Sequence, residues 1–80
     1  MTRVIVLYVA SLRDAAHVAG ETILTQAADL GDLYEELQAK HGFDMPRERL
    51  RVAVDGAFAR WEDAQADGSE VAFIPPVSGG

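Results

Sequence analysis

Two apolar strands, one at each end of the chain, constrain the fold most. Arg3 to Val9 is rich in β-branched residues, with Val4, Val6 and Tyr8 on one face and Ile5, Leu7 and Val9 on the other. Apolar residues on both faces mark a central strand. Val71-Ala72-Phe73-Ile74 is the second such run. It stops at Pro75-Pro76, because proline cannot donate to a ladder and holds the chain extended. Both runs fit central positions in one small sheet, which needs a cover on at least one face.

One helix is long enough to supply that cover. Leu30, Leu33, Tyr34 and Leu37 fall at i, i+3, i+4 and i+7. Asp29 is placed to cap this helix, Asp32 adds negative charge to its first turn, and Gly42 stops it near His41. Glu36 and Lys40 are spaced as an i,i+4 ion pair. A short helix is expected from Leu12 to Val18 or Ala19, with Ser11 as cap and Gly20 as stop. Further strands are read at Glu21–Thr25, at an edge, at Leu50–Val54 and at Ala57–Ala59. Asp55-Gly56 is a two-residue hairpin turn whose central positions need positive φ. Asp67-Gly68 turns the chain into the last strand, Glu70–Ile74. The order gives an α+β, ubiquitin-like β-grasp: about five strands in a mixed sheet, one main helix and one short helix. Residues 1–74 form the domain and 75–80 an extended tail.

Composition excludes several functions. With 80 residues there is room for one small domain. There is no cysteine, so disulfides, thiolate metal sites and a thiol nucleophile are absent. The net charge of -6 opposes nucleic acid, whose phosphates need basic partners. The apolar start is too short to cross a bilayer and lacks a convincing signal cleavage pattern, so the chain reads as cytoplasmic with no membrane partner. His17 and His41 have no second ligand at metal spacing, and no metal site is expected. Glu35-Glu36 lies on the polar helix face, and Glu62-Asp63 lies in a loop. Arg47, Arg49 and Arg51 read as a solvated edge, and Trp61 as a partial cover of the core.

By elimination, the chemistry lies at Gly80, the end of the tail Pro75-Pro76-Val77-Ser78-Gly79-Gly80, or nowhere in this chain. Six extended residues reach about 20 Å. A Gly79-Gly80 tip is costly to order and adds nothing to a core, but it suits a channel too narrow for a Cβ. The reactive group there is the Gly80 carboxylate, a poor electrophile unless activated, for example by adenylation. Ile74 falls on the strand face opposite Val71 and Phe73. Phe73 is the better candidate for the core, leaving Ile74 and the nearby Phe58 to form an exposed docking patch.

The run Phe73-Ile74-Pro75-Pro76-Val77-Ser78-Gly79-Gly80 resembles the C-terminal signature of the molybdopterin synthase small subunit, the MoaD family. Asp67-Gly68-Ser69-Glu70-Val71, Val52-Ala53-Val54-Asp55-Gly56 and Leu33-Tyr34-Glu35-Glu36-Leu37 match as well. The family commonly has Asp at Ser69, Asn at Asp55 and Leu at Gln65, departures that touch turns and local packing. The resemblance implies a sulfur carrier with no bound cofactor and no active site of its own. An ATP-dependent activating enzyme would adenylate Gly80, and a sulfur donor would convert it to a thiocarboxylate. The tail would then enter the large subunit of a heterotetrameric synthase, delivering sulfur to cyclic pyranopterin monophosphate. Phe58, Ile74, Pro75, Pro76, Val77 and Ser78 would contact partners. A carrier for thiamin thiazole synthesis, a ubiquitin-like modifier and a non-covalent interaction domain remain alternatives. The Pro75-Pro76 pair favours the molybdopterin branch over the thiamin one.

Overall fold

The computed structural model describes residues 1–76. Five strands form one mixed sheet: β1 (Thr2–Tyr8), β2 (Gly20–Thr25), β3 (Arg51–Val54), β4 (Ala57–Ala59) and β5 (Glu70–Ile74). Their spatial order is β2-β1-β5-β3-β4. The first and last strands therefore occupy the interior, paired in parallel with Val6 opposite Val71 and Tyr8 opposite Phe73. The helix α2 (Leu30–His41) covers one face, and a short helix α1 (Ser11–Ala16) follows β1. This is the β-grasp expected from the order of elements.

Alternation along the strands decides which side chains meet α2. Val4, Val6 and Tyr8 of β1, Val52 of β3, and Val71 and Phe73 of β5 are buried with Leu30, Leu33, Tyr34 and Leu37 of the helix. Aromatic rings fill the centre: Phe73 stacks on Trp61 at 6.0 Å and meets Tyr34 at 5.3 Å. Trp61 is half-buried against the core, as the sequence indicated. The second apolar face of β1 is not covered in the same way. Ile5 is exposed and Leu7 only half-buried, so the strand is central with one face left open.

The α2 boundaries are those read from the sequence. The Asp29 side chain accepts from the Asp32 amide at 2.8 Å, and Gly42 ends the helix at φ 72°. The loop after β4 adds a second cap: the Asp63 and Trp61 carbonyls accept from the Leu30 and Gly31 amides, each at 2.9 Å. Orphan donors of the first turn are thus satisfied by tertiary structure.

Three local expectations are corrected. First, α1 ends at Ala16, not at Val18 or Ala19, and Ser11 is its first residue, not its cap; no side chain caps it. His17 closes it in the left-handed region at φ 65°, its amide donating to the Arg13 carbonyl at 3.0 Å, and the chain then enters β2 at Gly20. Second, β3 starts at Arg51, since Arg47–Arg49 forms a 3-10 turn. Third, Glu36 does not pair with Lys40. Glu36 accepts from the Thr25 hydroxyl at 2.6 Å, and Lys40 reaches Glu21 at 2.9 Å. Both helix side chains find partners on β2 in place of each other, and exposed i,i+4 pairs are weak enough to yield.

Glu21 is the hub of that seam. Its carboxylate accepts from the Tyr8 hydroxyl at 2.6 Å and from Lys40, and His41 Nε2 lies 2.7 Å away. Burial works to raise the Glu21 carboxyl, but hydrogen bonds from Tyr8, Lys40 and His41 outweigh it and hold the group at about 2. Burial, with Glu21 beside it, pushes the Tyr8 hydroxyl well above its ordinary range, so it stays a donor. A carboxyl depressed in the folded state stabilises above its unfolded value and loses that contribution as pH falls through the folded one. Glu21→Gln is expected to cost about 2 kcal/mol at pH 7, discounted for partial exposure. In urea titrations that gap from the unaltered protein should close between pH 4.5 and about 2. A gap of the same size at both ends of this window would remove the titration argument.

Candidate functional site

The geometry of β5 follows from how its start is pinned. The Asp67 side chain accepts from the Arg3 amide at 2.8 Å, and the Ile5 amide donates to the Ser69 carbonyl at 2.9 Å. On the other flank, Asp55 and Glu70 exchange two bonds: the Asp55 amide donates to the Glu70 carbonyl at 2.8 Å, and Asp55 Oδ1 accepts from the Glu70 amide at 2.9 Å. The residues at family departures are thus engaged in the fold. Buried Ser69 donates to the Ala66 carbonyl at 2.6 Å. Buried Gln65 donates to the Ala27 carbonyl at 2.8 Å, while its Oε1 has no partner among the described residues. Asp55 and Gly56 both have positive φ, 50° and 87°, as the two-residue turn requires.

So held, β5 carries its two faces to opposite environments. Val71 and Phe73 are fully buried; Ala72 and Ile74 lie half-buried on the open face. Pro75 is buried and Pro76 exposed. Phe58, opposite Ala53 in the β3–β4 ladder, is 70% exposed. It shares two shallow hollows with Ile74. One runs over Leu7, Ala53 and Ala72. The other runs between Arg49, Arg51, Pro75 and Pro76. Ile74, Pro75 and Pro76 also wall a hollow on their far side, with Val9, Ala10, Ser11 and Met45. The structure therefore brings Phe58, Ile74, Pro75 and Pro76 together at the root of the tail. Val77, Ser78, Gly79 and Gly80 lie outside the described residues.

Other chemical candidates do not converge. Among the described residues no group of three or more His, Asp or Glu side chains is placed to hold a metal ion. His41 is taken up by Glu21 and packs edge-on to Tyr8, with ring centroids 5.5 Å apart. No helix of the described residues is long and apolar enough to cross a membrane.

Sequence reasoning set Arg51 aside, yet it belongs to this face. Its guanidinium lies over the Phe58 ring, 5.5 Å from the centroid. The signal was present in the hairpin. A two-residue turn at Asp55-Gly56 pairs Ala53 with Phe58, which makes Arg51 the diagonal neighbour of Phe58 on the same face.

Comparison with known proteins agrees with this architecture. The chain is 36% identical over 87 aligned residues to the molybdopterin synthase sulfur carrier subunit of Mycobacterium tuberculosis, covering 100% of both. The putative molybdopterin converting factor subunit 1 of Pyrococcus furiosus superposes with a TM-score of 0.80 at 31% identity, over 96% of this chain and 100% of that one. The SAMP1 protein of Haloferax volcanii, a small archaeal modifier protein, superposes with a TM-score of 0.79 at 26% identity, over 98% and 99%. The ThiS family model matches residues 6–80. The chain belongs to the ThiS family, within its group of molybdopterin synthase sulfur carrier (MoaD) proteins.

Proposed function

We propose that this chain is the sulfur carrier subunit of a molybdopterin synthase. The observation that carries the proposal is the end-to-end match to a relative of that name. The root of the tail supports it. β5 is an interior strand bonded on both sides, so it gives Pro75-Pro76 a fixed point of departure beside an exposed apolar patch. A carrier needs that arrangement, since each partner must grip the domain while its active site takes the tip.

The chemistry assigned to the tip is acyl activation. The Gly80 carboxylate attacks the α-phosphorus of ATP on an activating enzyme, giving an acyl adenylate and releasing pyrophosphate. A sulfide-level sulfur from a donor then attacks the acyl carbon, forming the C–S bond as AMP leaves, and the tip becomes a thiocarboxylate. In the synthase, the large subunit supplies the pocket in which that sulfur passes to cyclic pyranopterin monophosphate, and the carrier returns as a carboxylate. The carrier's own residues contribute docking through Phe58 and Ile74, direction through Pro75 and Pro76, and a slender tip at Gly79-Gly80.

Intact mass spectrometry of the chain isolated from its own cells tests the proposal. A fraction should carry a shift of one oxygen-to-sulfur exchange, located to Gly80. The likeness to a small archaeal modifier protein favours a second reading, attachment to protein lysines through the same activated carboxylate. Isopeptide conjugates on a blot of native extract, without any sulfur-bearing form, would favour the modifier.

A further inference from the structure

We propose that Arg51 makes the docking face selective for a partner that sets a carboxylate beside an apolar socket. The proposal rests on the carrier reading, and its occupant is the protein that receives the tail, the synthase large subunit. Three observations support it. Arg51 and Ile74 are register partners across β3 and β5, so the guanidinium stands at the exit of the tail. It lies over Phe58, the most exposed aromatic among the described residues, with 5.5 Å between the guanidinium carbon and the ring centroid. Arg49 lines the same hollow, and among the described residues neither arginine has an ion-pair partner.

These two cations stand out on a chain of net charge -6. The acidic whole repels polyanions, which excludes a nucleic-acid strand as the occupant. A single carboxylate meets no such barrier. A guanidinium resting on an aromatic ring keeps its donor edge free for bidentate pairing with a carboxylate. Its stacked position also restricts the side chain before binding, so less freedom is lost when the pair forms. Phe58 would fill the socket, Ile74 would pack at its rim, and Arg51 would fix the rotation of the domain about the axis of the tail. Apolar contact alone leaves that rotation poorly defined, and a directional ion pair sets register and rejects wrong partners.

Titrating the chain with its cognate large subunit, at low and high salt, tests the proposal. Arg51→Glu should weaken binding by about tenfold or more, and Arg51→Lys by a few-fold, since it keeps the charge and loses the planar fork. Arg51→Leu should flatten the salt dependence of the affinity. Thermal melts should not change, because Arg51 is exposed; if Arg51→Glu melts early, the titration of Arg51→Leu decides in its place. Affinity of Arg51→Glu within about twofold of the unaltered chain overturns the selectivity proposal while the carrier reading stands. If the unaltered chain neither binds the large subunit nor carries sulfur at Gly80, both fall together.

Discussion

Deleting Gly79 and Gly80 should abolish sulfur loading and molybdopterin formation while leaving the melting temperature unchanged. A Gly-Gly tip carries no side chain that a core could use, so the deletion should cost the fold nothing. The proposed chemistry, by contrast, needs one particular carboxylate at the end of a slender tip. The truncated chain ends instead on the Ser78 carboxylate, two residues short and with a side chain at its tip, and the loss should reach the detection limit of a reconstituted synthase assay. Gly79→Ala separates reach from shape. It keeps the length and the carboxylate and adds one methyl group. If the channels of the partners exclude a Cβ, this variant loses loading or transfer with an unaltered melt. Wild-type turnover would assign Gly79 to flexibility alone. A deletion variant that still forms molybdopterin would overturn the role given to the tip.

The second large effect is structural. Phe73→Ala should destabilise the domain by about 3–5 kcal/mol, the range for removing a buried aromatic. Phe73 is fully buried, stacks on Trp61 with ring planes 8° apart, and meets Tyr34. A domain of this size has about 5–10 kcal/mol to lose, so the variant should be partly unfolded near 37 °C. Urea titration measures it directly. Phe73→Leu keeps most of the volume and should cost much less, about 1–2 kcal/mol. The pair has a functional corollary. Phe73 and Ile74 are neighbours in sequence, but one holds the sheet to α2 and the other lines the hollow beside Phe58. Damage at Phe73 should therefore appear as instability, even where binding of the remaining folded fraction is normal. Equal stability of Phe73→Ala and the unaltered protein would contradict this packing.

The order of elements, the α2 boundaries and the Asp55-Gly56 turn were legible in the sequence because each has a local cause. Asp29 caps through its own side chain, Gly42 and Gly56 take positive φ, and the Leu30 to Leu37 stripe repeats at the helical period. Alternation in β5 likewise gave the separation of Phe73 from Ile74. The candidate tail was proposed on local grounds too, since its prolines restrict the backbone and its glycines lack a Cβ, but Val77 to Gly80 lie outside the described residues. Tertiary structure decided the rest. Lys40 leaves Glu36 for Glu21 because β2 lies within reach of both helix side chains, and a weak local pair gives way to a part-buried hub with three partners. α1 ends early at His17 in the left-handed region, and the Ala19 carbonyl beyond it bonds the Tyr8 amide at the end of β1. Arg51 reads as a solvated charge along the chain and joins the proposed docking face only when the hairpin sets it over Phe58 and the β3–β5 ladder sets it opposite Ile74. Periodicity fixes which face a residue takes, whereas long-range pairing fixes what it meets there, because contacts across strands depend on register between distant segments.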